Sequence, residues 1–346
     1  MNDASPPPAR IAEESREAPD AVARQRHDLA GPLRDLAARL RARPPAVVVT
    51  CARGSSAHAA TFGKHLIERH LAIPVAAAAP NVATVYRQRL RLSGQLFLAI
   101  SQSGWSDDLV ETAAMAKAAG ALTAALVNAP DSPLAAACDI VLPLGAGAER
   151  SVAATKSFVA SLAALLALAA EWGGDQRLDS ALDRLPQRLM EAGGLDWVAA
   201  VSAFADADSL IAIGRGPTLA IAREAALKLK EVCNLHAEAF SGAELLHGPI
   251  ALVERGYPML MLMANDEAGD GLRRLAADLR HKGAALLSAE PGPVEPGRLP
   301  ALSPDHPDAD AVCLIQSFYA MLPQLAVRRG INPDRPRHLQ KVTRTR

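Results

Sequence analysis

Between Leu96 and Asn128 the chain reads "LFLAISQSGWSDDLVETAAMAKAAGALTAALVN". The apolar run LFLAIS has the length of a strand and stops at Ser101-Gln102-Ser103-Gly104, and a helical pattern follows from Asp107. Beyond Gly120 a second apolar run, LTAALVN, begins at Leu122. Two buried strands joined by a helix form the unit of a parallel sheet, because parallel strands need a crossover of helical length. Working outward, "AVVVTC" precedes this unit from Ala46, and "SLIAIG" from Ser209, "PMLMLMA" from Pro258 and "AALLSAE" from Ala284 follow it. The expectation is an α/β protein with doubly wound parallel sheets.

The later strands repeat the earlier ones. Arg53-Gly54 after the first strand matches Arg215-Gly216, LFLAIS matches LMLMA, and Gly120 matches Gly283, at an offset of 162 or 163 residues. Two similar domains in tandem, each a three-layer α/β/α sandwich, account for this spacing. They are joined through "WGGDQRLDSALDRLPQRL", Trp172 to Leu189. The expected division is an N-terminal arm and helix (1–30), a first domain (31–172), a linker helix (173–195), a second domain (196–330) and a C-terminal tail (331–346).

Composition narrows the function. Lys+Arg and Asp+Glu are both 37, so no basic surplus argues for nucleic acid and no acidic run argues for a solvating tail. The start, "MNDASPPPARIAEESRE", has no apolar core of a signal peptide. The longest apolar stretch, Phe158 to Ala170, is too short to span a bilayer. Cys51, Cys138, Cys233 and Cys313 are far apart with no C-x-x-C pair, as expected of buried, reduced cysteines. A cytoplasmic protein of small-molecule chemistry, with no nucleic-acid or membrane partner, is the expectation that remains.

The repeat permits an internal comparison. Where the first domain has Ser101-Gln102-Ser103-Gly104, the second has Ala264-Asn265-Asp266-Glu267. A helix N-terminus after a strand offers free N–H groups and partial positive charge to an anion. Serine hydroxyls add donors there, whereas two carboxylates repel. One phosphate site per chain is therefore expected, in the first domain, from Ser101, Gln102, Ser103 and Ser106 together with Gly54, Ser55 and Ser56 on the neighbouring loop. Serine and aspartate at a helix start are also ordinary caps, but two such loops at adjacent strand ends point to a ligand. Asp107 and Asp108 are read as partners of the helix dipole. No G-x-x-x-x-G-K-[ST] is present, and "IGRGPTLA" has Leu219 where a dinucleotide fingerprint needs a third small residue.

The densest chemistry lies in "EAALKLKEVCNLHAEAFSGAELLHGP", Glu224 to Pro249. Glu224 and Lys228 are four apart and Lys228 and Glu231 three apart, so all three share one helix face. Taken alone, such a face is a solvated, ion-paired surface. His247 then stands directly before a helix-breaking Gly-Pro, in a turn. His65 and His70 miss the spacing of a two-histidine metal helix, and His236-x-Glu238 has no matching cluster, so no metal is expected. A glutamate, a histidine, lysines and a phosphate cradle, with no cofactor motif, suit proton transfer between C1 and C2 of an open-chain sugar phosphate. The carboxylate would serve as base, histidine as ring-opening acid, and a cation would steady the oxyanion.

Five segments in order, "RGSSAHA", "SQSGWSDD", "VAATKSF", "ALKLKEVCNLHAEAFSGAELLHGP" and "NPDRPRHLQKVT", resemble the sugar isomerase (SIS) domain family, and within it the glucosamine-6-phosphate deaminases and the isomerase half of glutamine–fructose-6-phosphate aminotransferases. The resemblance implies phosphate contacts at Ser56, Ser101, Gln102, Ser103 and Ser106, with Gly54 and Ser55 shaping the first loop. It implies an isomerising base at Glu231 with Lys228 beside it, a ring-opening His247 donated across a homodimer interface, and a C-terminal Lys341 closing over the sugar. Val152 matches a position that turns its backbone carbonyl to the sugar. Ala52, Trp105 and Ala154 depart from the family pattern, Ala154 from the serine of the aminotransferases. Asn2, not cysteine, follows Met1, and the arm is shorter than a glutaminase domain, which leads to the expectation of free-ammonia chemistry without cofactor: glucosamine 6-phosphate to fructose 6-phosphate and ammonia. A different phosphorylated aminosugar (galactosamine 6-phosphate or a fructosamine-type phosphate) and a non-catalytic sugar-phosphate sensor stay open.

Overall fold

The computed structural model describes residues 9–293 and 295–341. The first eight residues of the expected arm and residues 342–346 of the expected tail lie outside them. From the N-terminus the elements are α1 (Arg10–Arg16), α2 (Ala18–Ala42), β1 (Val48–Ala52), α3 (Gly54–Leu71), β2 (Val75–Ala77), α4 (Pro80–Thr84), β3 (Leu96–Ser101), α5 (Asp107–Ala118), β4 (Leu122–Val127), α6 (Pro133–Ala137) and β5 (Ile140–Pro143). Two long helices follow, α7 (Lys156–Gly173) and α8 (Gln176–Gly193). The second half contains α9 (Val198–Phe204), β6 (Ser209–Gly214), α10 (Pro217–Cys233), β7 (His236–Ser241), β8 (Pro258–Leu262), α11 (Gly269–His281), β9 (Ala285–Ala289), β10 (Arg298–Leu299) and α12 (Pro307–Arg328). Helix α2 runs unbroken through residue 30, so the arm and the first domain share one helix.

Both sheets have five strands, all parallel. Their orders are β2-β1-β3-β4-β5 and β7-β6-β8-β9-β10, the same topology twice. The central strands are apolar on both faces because helices cover both, and β3 is buried along its whole length. In this order the chain leaves β1 to one side of the sheet and β3 to the other, so a crevice opens between their C-terminal ends. The register pairs Ala52 with Ile100. That pairing brings the loop before Gly54 beside the loop after Ser101.

One apolar cluster spans both halves, from Ile11 through Leu98 and Leu165 to Leu260 and Leu325, and two smaller clusters lie on the outer faces. Helix α3 of the first half packs on α10 of the second, and α10 packs on α12. The two apolar helices of membrane-spanning length, α7 and α12, are 89% and 83% buried inside this fold over their most apolar stretches, which makes them core helices. All four cysteines are free and buried, and burial pushes the thiols of Cys51, Cys233 and Cys313 up to about 12 and that of Cys138 up to about 11.

Candidate active site

A cavity of ≈ 340 Å³ occupies the crevice at β1 and β3. Gly54, Ser55 and Ser56 line it from the start of α3, and Ser101, Gln102, Ser103 and Ser106 from the loop before α5. Val152 and Ala154 line it from the segment before α7, Lys228 and Glu231 from α10, and Lys341 from the tail. Two halves of the chain and its C-terminal segment thus meet in one space. Another cavity of similar size, between α2, α7 and α8, is lined by Leu29, Leu33, Ala163 and Ala167 and holds none of these groups.

The serines are arranged as donors. Ser101 Oγ accepts the N–H of Gly104 at 3.0 Å and Ser103 Oγ accepts that of Trp105 at 3.3 Å, so each hydroxyl proton is left for a ligand. Ser106 is the N-cap of α5, yet its side chain makes no capping bond. Gly104, at φ +70°, is required here, since a Cβ would stand 2.1 Å from Ser132 Oγ. Helix α3 has no acidic residue in its first turn, which leaves its positive end free for an anion. Ser55 differs from the others: its hydroxyl donates to Glu224 at 2.9 Å, so its proton is not available to phosphate.

The first-turn aspartates of α5 part company. Asp107 is exposed, as a dipole partner would be, but Asp108 is buried and accepts two hydrogen bonds from Arg53. Arg53, which also lines the cavity, brings to its serine-lined end the positive charge that the serine loop lacks.

The α10 face is not solvated. Glu224 and Lys228 are 0% and 1% exposed, because α3 and α12 cover the helix. Lys228 Nζ donates to Glu231 Oε2 at 2.5 Å and lies 3.5 Å from Glu224 Oε1. Burial alone would lower the Lys228 ammonium, but the two carboxylates outweigh it and hold it above the ordinary lysine value. Burial would likewise raise Glu224, yet Lys228 first and then His58 and Ser55 hold it below the usual carboxylate range. Glu231 is the member of the trio that keeps partial exposure toward the cavity.

Lys341 reaches back over the first half, donating to the Ser151 carbonyl at 2.7 Å and pairing with Glu149 at 3.4 Å. Glu149, which sequence reasoning missed, is a buried acceptor for the Thr155 and Ser157 N–H groups and the Ser157 hydroxyl. These bonds shape the segment carrying Val152. His247 is placed elsewhere. It ends a 3₁₀ turn, Glu244–His247, is exposed, and does not line the cavity of its own chain. Leu246 and Leu252 beside it are each 52% exposed.

In the second half the equivalent crevice holds a carboxylate of the protein itself. Asp266 accepts the Ala268 N–H at 3.0 Å, and burial pushes it above its ordinary value. Among the described residues, no cluster of three or more His, Cys, Asp or Glu is placed to hold a metal ion.

The SIS domain family model matches residues 46–171 and 203–288. A glutamine–fructose-6-phosphate aminotransferase of Symbiobacterium thermophilum is 35% identical over 329 residues, covering 88% of this chain and 52% of that protein. The chain spans about half the length of the curated relatives it matches. Among solved structures, a Silicibacter pomeroyi protein provisionally described as a phosphosugar isomerase is 43% identical, with TM-score 0.89 over 94% of this chain and all of that one. The C-terminal domain of a Francisella tularensis glucosamine-fructose-6-phosphate aminotransferase superposes with TM-score 0.83 at 26% identity, over 97% and 100% of the two chains. With two parallel sheets of one topology and the family match in both halves, this chain belongs to the SIS domain family.

Proposed function

We propose that the protein converts glucosamine 6-phosphate and water to fructose 6-phosphate and ammonia in the cytoplasm. The observation that carries this reading is the meeting, in one cavity, of a hydroxyl cradle from the first half and the Lys228–Glu231 pair from the second. Phosphate sits at the N-termini of α3 and α5 among Ser56, Ser101, Gln102, Ser103 and Ser106, and serves as the handle that orients the carbon chain. His247 of a second copy opens the ring, which makes the enzyme a homodimer with shared sites.

In the open chain, Glu231 takes the C2 proton, leaving an enolamine, and returns it to C1. The resulting C2 iminium adds water, and the carbinolamine collapses to the ketone with loss of ammonia. Lys341, with Lys228 behind the base, stabilises charge on the C1 oxygen as the aldehyde becomes an enol. Every group required is a side chain of this protein, so no cofactor enters the scheme. A plain aldose–ketose isomerase of phosphosugars is the second reading, favoured by the 43% identical neighbour.

The deciding experiment measures ammonia release and ketose formation on glucosamine 6-phosphate, galactosamine 6-phosphate and fructosamine-type phosphates. Glucose 6-phosphate is assayed beside them. Equal ammonia and fructose 6-phosphate from glucosamine 6-phosphate is the expected result. Isomerisation of glucose 6-phosphate with no ammonia from any aminosugar would establish the second reading instead.

A further inference from the structure

Glu224 is a fully enclosed carboxylate at the junction of the halves, with 0% exposure. Its Oε1 accepts from Ser55 Oγ at 2.9 Å and from the Tyr319 hydroxyl at 3.0 Å, and its Oε2 accepts from His58 Nδ1 at 2.9 Å. Lys228 stands 3.5 Å away. Taking a carboxylate out of water is so costly that such a group persists only when its lone pairs are filled, and an apolar residue would serve packing alone at least as well. The partners therefore indicate its use. Two belong to α3, at the phosphate end of the site, one is the lysine that touches Glu231, and the fourth, Tyr319, buttresses the group from α12.

We propose that Glu224 is a positioning residue: it fixes Lys228 against Glu231 and, through Ser55 and His58, ties the phosphate-binding end of α3 to that pair. Glu224, Lys228 and Glu231 stand at i, i+4 and i+7, one stripe of α10, with the cation between two anions. The negative charge of Glu224 offsets Lys228, so that Lys228 neutralises the base less than it would alone. The groups facing this carboxylate are Lys228 and Glu231 on its own helix, His58 on α3 and Tyr319 on α12, with the Glu149–Lys341 pair beyond. Ser55 spends its proton on this tie, which separates it from the serines that keep theirs for phosphate. The inference rests on the reading of Glu231 as the base.

The test compares Glu224→Gln and Glu224→Asp by pH profiles of kcat, by affinity for a hexitol 6-phosphate, and by thermal melting. Glu224→Gln keeps the shape and removes the charge. Its acid limb moves about one unit to lower pH, because a vanished anion no longer helps the base hold its proton, and kcat falls about a hundredfold. Glu224→Asp keeps the charge on a shorter arm; its acid limb stays in place while hexitol-phosphate affinity weakens about tenfold as the tie to α3 is lost. An unmoved acid limb in Glu224→Gln, or an Asp variant with wild-type affinity, overturns the proposal. Should the Gln variant fail to fold, the Asp arm decides alone. Hexitol-phosphate affinity does not depend on which reaction the enzyme performs. Turnover surviving in Glu231→Gln would instead overturn the assignment of the base.

Discussion

Arg53 closes on Asp108 with two nitrogens on one carboxylate oxygen, Nε at 2.9 Å and Nη2 at 2.7 Å. The pair joins the end of β1 to the first turn of α5 and so ties together the loop after β1 and the loop before α5, whose serines line the cavity. Asp108 is buried with its other oxygen unpartnered, whereas the Arg53 side chain is 51% exposed and borders the cavity. Asp108 thus aims the guanidinium, and the serine loop dispenses with a cation of its own because its neighbour supplies one.

Removing one partner should separate binding from stability. In Arg53→Gln the KM for the sugar phosphate is expected to rise about tenfold, and stability to fall by about 1–3 kcal/mol as Asp108 is left buried and unpaired. The Arg53→Gln/Asp108→Asn double variant should recover much of the melting temperature and none of the KM. Recovery of both in the double variant would show that Arg53 serves the fold alone.

Ser103→Asp and Glu231→Gln should fail in opposite ways. A carboxylate placed about 4 Å from a phosphate charge costs about 4 kcal/mol near a protein surface, close to a thousandfold in affinity. Ser103→Asp should therefore lose sugar-phosphate binding, measured by calorimetry. Glu231→Gln should bind within a few-fold of wild type, with kcat lowered about a thousandfold. An unchanged KM in the first variant would remove phosphate from that loop.

A second clamp fixes the halves and gives the protein an acid limit. Asp308, at the start of α12, is buried between Arg69 at 2.6 Å and His70 at 2.8 Å, both from the last turn of α3. Burial alone would raise its carboxyl, but the His70 hydrogen bond and the charges of Arg69 and His70 outweigh it and hold it below the ordinary aspartate value. A carboxylate lowered on folding contributes its full stability above its unfolded value, and that contribution disappears as pH falls through its folded value. Asp308→Asn should therefore melt lower at neutral pH, by about 2–3 kcal/mol of stability after allowance for the partly exposed arginine, and the gap should shrink below pH ~4. Melting curves of both proteins across that range check it. A gap of constant size would deny the linkage.

The parallel sheets were legible because strands covered on both faces must be apolar throughout, and LFLAIS and LTAALVN are. The serine loops were legible because their chemistry is local to two short segments. The burial of the α10 face was not. Glu224 and Lys228 have the spacing of any exposed ion pair, and they are covered by His58, 166 positions earlier, and Tyr319, 95 positions later. No window of sequence contains that contact. Asp108 misled in the same way, since its helix-start position accounts for it without Arg53, 55 residues before it. Glu149 gave no signal, being a lone acid in a loop until Lys341 returns from the far end of the chain.

His247 supplies the sharpest test of subunit sharing, because it lies outside the cavity of its own chain beside the exposed Leu246 and Leu252. If it serves a neighbour, two inactive proteins should complement each other. In a mixed dimer of Glu231→Gln and His247→Ala chains, one site receives both defects and the other receives neither. Mixing equal amounts after dissociation makes half the dimers mixed, so about a quarter of the wild-type rate should return. The rate should follow the concentration of mixed dimer as the ratio of the two chains is varied. If His247 instead acts within its own chain, each site of the mixed dimer carries one defect and no activity returns, whatever the ratio. Exchange monitored with a tagged chain ensures that silence in the assay reports the site and not a failure to mix.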